Sequence, residues 1–228
     1  MAADPELRSH QEWLGYLQPV GLVVSAPALV AAQAFVNRNV AREQQRLAAV
    51  VAPVRLTDGD GAVTETVALH DFPAFAREVL DWQPADLRNG PGQPALPDEL
   101  VVALPEYGDT LKPTYAVPAP EGDAAHFLLL VELVPFGTDL DRDPPPDGRR
   151  WQASPQARFE RLLRETSVPI GLLCNGTHLR LVYRPAGESS GHLTFPVAAM
   201  TEPAAAAPGP APGPGGELVG SARERRPG

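Results

Sequence analysis

Apolar and polar positions along the chain change period several times, and each change marks an element. Ser9 and Glu12, ahead of Trp13, Leu14 and Leu17, have the spacing of a capping box that opens a short helix, which Pro19 stops. From Pro27, the residues Leu29, Val30, Phe35, Val36 and Val40 lead into the charged stretch 38–46 and predict a second amphipathic helix reaching about Ala49. The period then falls to two. Residues 50–56 and 62–69 flank Asp58-Gly59-Asp60-Gly61, the pattern of a β-hairpin with a Gly-rich turn. Asp71 is placed to cap a helix over residues 72–82 that carries Phe72, Phe75, Val79 and Trp82 on one side.

The second half is more regular. A Pro/Gly loop over residues 88–97 precedes an apolar strand, 100–104, then a charged turn and a strand over 113–117. Residues 126–134, the most hydrophobic run, predict a central strand buried on both faces, which makes Glu132 conspicuous inside it. After a Pro-rich loop over 139–150, Ser154-Pro155 starts a helix with Phe159, Leu162 and Leu163 inward and Arg158, Glu160, Arg161, Arg164 and Glu165 outward. Apolar residues 170–173, then Asn175-Gly176, then alternating Leu179, Leu181 and Tyr183 predict a type I′ hairpin, and a further strand covers 192–197. From Thr201 onward Ala, Gly and Pro supply 18 of 28 residues, which leaves nothing to pack. The expected organisation is a disordered start over 1–8, one folded domain over 9–200 and a disordered tail over 201–228. The fold class is α/β, a mixed sheet flanked by helices.

Composition narrows the function. The 228 residues suffice for one domain and a tail, and 43% hydrophobic with 21% charged residues is a globular balance. A net charge of -9 disfavours autonomous DNA binding through phosphate neutralisation. Of the 19 Lys and Arg residues only Lys112 is a lysine, so chemistry that needs a lysine must use that position. The single cysteine, Cys174, excludes an intrachain disulfide framework and suits a reducing compartment. No segment reads as a signal peptide, and the uncharged residues 13–37 are broken by Pro19, Pro27 and Gly21, so a cytoplasmic protein with no membrane partner is expected.

Most catalytic constellations are missing. There is no Gly-x-Gly-x-x-Gly, no phosphate-binding Gly-x-x-x-x-Gly-Lys-Ser/Thr, no Gly-x-Ser-x-Gly and no His-Glu-x-x-His. Asp58 and Asp60 are better explained as turn residues than as a calcium loop, since no Glu follows at the required spacing. Cys174 paired with His178 or His192 would form a nucleophile and base, but a cysteine closing an apolar strand is usually a small hydrophobe. The histidines His10, His70, His126, His178 and His192 lack metal-ligand spacing. Glu132 differs: a carboxylate in a buried strand must be paired, protonated or bound to a metal.

At these residues the chain resembles a family. Residues 111–117 (Leu-Lys-Pro-Thr-Tyr-Ala-Val), 127–134 (Phe-Leu-Leu-Leu-Val-Glu-Leu-Val), Gly137-Thr138-Asp139-Leu140-Asp141, and the long stretch 159–183 look like the N-terminal region of type IIG-like restriction-modification DNA adenine methyltransferases and of DISARM-type phage-defence methylases. The phrase Val-Pro-Ile-Gly-Leu-Leu-Cys-Asn-Gly over 168–176 also resembles the hairpin that follows the PD-(D/E)xK nuclease core of restriction subunits. The resemblance implies a restriction-nuclease-like fold with a degenerate core. Where the nuclease has an Asp this chain has Thr114, where it has a Lys this chain has Val134, and only Glu132 survives. No catalytic, cofactor-binding or metal residue is therefore assigned. Lys112 stands as a migrated lysine, and Glu106 or Asp109 as a second acid, in a weaker metal-nuclease alternative. S-adenosylmethionine is implied for the full-length family but not for this chain, which lacks the methylase's Asn-Pro-Pro-Tyr/Phe motif, Pro144-Pro145-Pro146 having no preceding Asn. The implied role is an accessory or scaffold segment, truncated relative to its family and inactive alone, whose partners are DNA through a full-length enzyme or a partner subunit and other restriction or defence subunits. A protein-interaction module in a multi-subunit complex is the reading from another class.

Overall fold

The computed structural model describes residues 4–17, 19–37, 39–57, 61–120, 126–145 and 151–202. Its centre is a five-stranded mixed sheet in the order β5 (Tyr115–Pro118), β6 (Phe127–Leu133), β7 (Ile170–Cys174), β8 (His178–Tyr183) and β9 (Gly191–Pro196). The β6–β7 pair is parallel and the other three are antiparallel. Two parallel neighbours need a crossover between them, and helix α5 (Pro155–Thr166) supplies it. The Ser154 hydroxyl accepts the Ala157 amide at 3.2 Å and Pro155 follows, so α5 opens as the sequence predicts.

Strand alternation sends the sheet's side chains into two cores. On one face Leu130, Leu173 and Val182 meet Phe159, Leu162 and Leu163 of α5. Val131, Cys174 and Leu179 on the other face meet Leu47 of α3 (Ala41–Val50) and Phe72 and Phe75 of α4 (Phe72–Glu78). A separate hairpin, β1 (Val51–Thr57) with β2 (Val63–Leu69), adds Leu69 to that second core. Helices α1 (Pro5–Leu17) and α2 (Ala26–Ala31) cover the β9 end through Leu14, Ala26 and Leu193, and α6 (Val197–Thr201) closes the described chain. The fold is thus mixed α/β, as expected. No helix among the described residues is long and apolar enough to cross a membrane.

Several local expectations are corrected. Helix α1 begins at Pro5, with the Asp4 carboxylate accepting the Glu6 amide at 3.0 Å, so Ser9 lies inside it and residues 5–8 are helical rather than disordered. The single helix expected from Pro27 to Ala49 is two helices, because Gln33 takes a left-handed φ of 56° that no α-helix continues through. The helix expected over 72–82 stops at Glu78, with Asp81 at φ 55°. The strand expected over 100–104 is β3 (Val102–Leu104), and the charged turn after it leads into an unexpected strand, β4 (Asp109–Leu111), that pairs with it as a hairpin before β5. Strand β6 is buried on one face only in part, since Leu128 is 44% exposed. The starts and ends expected to be disordered, residues 1–3 and 203–228, the expected turn at Asp58-Gly59-Asp60, and parts of the expected loops, 121–125 and 146–150, lie outside the described residues.

The Asn175-Gly176 turn is not type I′. That turn needs positive φ at both central residues, and only Gly176, at 84°, has it. The last β7–β8 pair is Cys174 with Leu179, which leaves four residues between them. The buried Asn175 organises them: its Oδ1 accepts the amides of Thr177 (3.0 Å) and His178 (2.7 Å), while its Nδ2 donates to the Thr138 carbonyl at 2.8 Å. The turn therefore clips the loop after β6 to the sheet.

Gly171 on β7 marks the closest approach of α5 to the sheet, where a Cβ would run into the Phe159 ring. Overpacking of this kind costs about 2 kcal/mol. Gly171→Ala should lower the thermal midpoint accordingly, and an unchanged midpoint would mean that α5 sits further off the sheet than described.

Candidate functional site

A cleft of about 640 Å³ opens between the ends of β4 and β6 and the first turns of α5. Its apolar lining includes Leu96, Leu111, Pro113, Phe159 and Leu162; its polar lining includes Asn89, Lys112, Thr114, Glu132 and Arg158. Glu132 is there because strand alternation puts it on the face of Leu130, towards α5. Thr114 arrives from the neighbouring strand: Tyr115 pairs with Val131, so Thr114 sits one step on, beside Glu132. Its amide donates to the Val131 carbonyl at 2.8 Å and its hydroxyl accepts the Leu133 amide at 2.9 Å, which makes Thr114 a strand-locking residue.

Burial pushes the Glu132 carboxyl up to about 7, against the opposing pull of Arg158, the Thr114 amide and Lys112. Its Oε2 is buried and has no hydrogen-bond partner among the described residues. Arg158, which the helical pattern places on the solvated side of α5, lines the cleft instead. Its Nη1 donates to Asp109 Oδ2 at 2.6 Å and its guanidinium lies 5.3 Å over the Trp151 ring. Trp151 stacks on Tyr107 with ring centroids 5.3 Å apart, and Arg161 covers both rings while pairing with Glu106 at 2.8 Å. These contacts hold α5 against the β3–β4 hairpin and set the cleft's wall.

The sequence-predicted residues divide accordingly. Glu132, Thr114, Val134 and Lys112 all line the one cleft. Glu106 and Asp109 are not in its lining; both carboxylates hold arginines of α5. A divalent ion would find one carboxylate with a raised pKa, a threonine where an acid is needed, and two neighbouring cations, a donor set that does not fit a nuclease metal. No group of three His, Cys, Asp or Glu side chains that could hold a metal occurs among the described residues. Cys174 lies in the opposite core, where burial raises its thiol, and its sulfur accepts the Gly176 amide at 3.4 Å. His178 bonds Thr177 Oγ1 through Nδ1 at 3.0 Å, and burial lowers its pKa. His10 is a packed histidine: the Trp13 indole donates to its Nδ1 at 3.0 Å, which assigns its Nε2 proton to the Ala34 carbonyl at 2.9 Å.

Sequence reasoning missed Arg158 and Asn89 as cleft residues. The Arg158–Asp109 contact spans 49 positions and has no local signature. The chain matches no family model, no curated protein and no solved structure.

Proposed function

We propose that this chain is a catalytically retired, restriction-nuclease-like domain that serves as an accessory or scaffold segment of a cytoplasmic DNA-modifying restriction or phage-defence enzyme. The observation that carries the reading is the placement of Glu132. It stands on the strand that enters a β–α–β crossover, beside Thr114 at the start of the adjacent antiparallel strand, in a cleft of about 640 Å³. That is the layout in which a nuclease holds its acids, with one acid replaced. Lacking a second carboxylate and a lysine two residues after the first, the domain neither cuts nor methylates DNA alone, and it reaches DNA through a full-length enzyme or a partner subunit. S-adenosylmethionine chemistry, where the family uses it, belongs to that larger assembly.

The test is plasmid integrity. Supercoiled DNA incubated with wild-type protein and with Glu132→Ala in Mg²⁺ or Mn²⁺ series should remain equally intact; metal-dependent nicking that disappears in Glu132→Ala would overturn the reading. A partner-docking role is favoured by the N-terminal segment, which exposes Tyr16, Val20, Leu22 and Phe35. Duplex DNA binding that weakens steeply with salt would instead assign direct contact to this domain.

A further inference from the structure

A smaller pocket, of about 120 Å³, lies at the corner where α4 ends and is lined by Pro73, Trp82, Pro84, Leu87, Gly90 and Pro91. Trp82 is fixed there. Its amide donates to the Ala76 carbonyl at 2.9 Å, and its ring meets Phe72 edge-on with centroids 6.4 Å apart. The facing wall is pinned as well, by the Gln83 amide donating to Asp86 Oδ2 at 2.7 Å and the Gln93 amide to the Gly90 carbonyl at 2.9 Å. Prolines and a half-buried indole thus make a rigid apolar surface, and the Trp82 indole N–H holds no hydrogen bond among the described residues. Arg77, the charged residue of the lining, is paired with Glu78 at 2.9 Å, so an uncharged occupant suits the pocket. Aromatic-lined grooves take polyproline II segments, and an indole N–H, which only donates, suits a carbonyl of such a segment.

The chain carries a sequence of that kind. After Glu202, the last described residue, positions 203–214 hold Pro203, Pro208, Pro210, Pro212 and Pro214 among alanines and glycines, with no charge. The point of departure is fixed, because the Glu202 carbonyl accepts Nε2 of Gln44 on α3 at 2.7 Å. Arg46 on the same helix donates to the Glu78 carbonyl at 3.3 Å and to Asp81, the neighbour of Trp82, at 2.9 Å. From Glu202 to the pocket is therefore on the order of one or two helix diameters, roughly 10 to 25 Å, whereas residues 203–214 in polyproline II would span about 37 Å. We propose that the pocket at the end of α4 is a docking site for Pro-rich segments and that residues 203–214 of the same chain occupy it. Tethering raises the local concentration of the segment to about millimolar, so a shallow pocket suffices. The pocket shares no lining residue with the Glu132 cleft, and docking does not depend on the nuclease relationship.

The experiment places a nitroxide on the tail of the ¹⁵N-labelled full chain, through Ala211→Cys in a Cys174→Ala background, and reads paramagnetic broadening. The Trp82 indole and the Gly90 amide should lose most of their intensity relative to the reduced label. Pro208→Ser, Pro210→Ser and Pro212→Ser introduced together alter no described residue and should restore both signals. When only a second, ¹⁵N-free copy in the mixture carries the nitroxide, both signals should keep their intensity. An unbroadened Gly90 in the singly labelled chain would overturn the proposal. Broadening that survives the three proline substitutions would also overturn it, since mere nearness of the tail would then explain the effect. Broadening in the mixed sample would place the tail of another copy in the pocket and contradict docking within one chain.

Discussion

Glu132→Gln should stabilise the protein at pH 8 by about 2 kcal/mol and leave it nearly unchanged at pH 4.5. The sign follows from linkage. The folded carboxyl titrates at about 7 and the unfolded one at the ordinary 4.5, so between those values the folded state holds more protons. Stability contributed by the protonated group is therefore fully present below pH 4.5 and is lost as pH rises through 7. A shift of this size corresponds to about 3 kcal/mol, and the extra amide donors of Gln return roughly 1 kcal/mol of it. Lowered His178 and His192 values act oppositely in part of the same window, since a histidine kept neutral by burial opposes folding once it must charge. The difference between wild type and Glu132→Gln removes them, and urea melts across pH 4.5 to 8 measure it. A flat difference would mean that Glu132 is solvated.

The second large effect concerns the opposite side of α5. Arg180, 6% exposed, projects from β8 and takes both oxygens of Asp141, at 2.6 and 2.8 Å, with Thr194 Oγ1 at 2.9 Å. Asp141 lies in the loop after β6, next to Leu140, whose carbonyl accepts the Gln156 amide at 3.0 Å. The bidentate pair thus ties the crossover loop to the sheet and to the start of α5. Asp141→Ala would leave a buried guanidinium with neutral partners only. Breaking a buried pair costs about 3 to 5 kcal/mol, and the solvent exposure of Asp141 reduces this to about 2. Arg180→Met should cost less, because the freed carboxylate can turn to water. The hydrogen bond from Arg180 also holds the Asp141 carboxyl below its ordinary range, so its contribution is present above about pH 4 and lost as pH falls through the depressed value. Equal losses for Asp141→Ala and Arg180→Met in urea melts would refute the asymmetry.

The legible parts of this fold were those that local pattern controls. Continuous apolar runs mark β6 and β7, alternating apolar residues mark β8, and Ser154-Pro155 places the start of α5. Glu132 was legible for the same reason, an acid in a run that should bury every side chain. What local pattern does not encode was misread. Gln33 in a left-handed conformation ended a helix that its apolar neighbours would have continued, and Asn175 turned from a turn residue into a buried clip between two loops. Arg158 has the spacing of a solvent-facing helical position, yet Asp109 and Trp151, brought in from elsewhere, draw it across the cleft. Such long-range polar pairs are chosen by tertiary packing, which periodicity cannot see.

The proposal of a nuclease-like frame that has lost its metal chemistry, with Glu132 kept as a buried carboxyl, is tested most directly by one titration. The ¹³Cδ resonance of Glu132 is followed against pH with and without millimolar Mg²⁺. A midpoint near 7, the same in both series, is expected. A midpoint that Mg²⁺ pulls down into the ordinary carboxylate range would show Glu132 ligating the ion, and would contradict it.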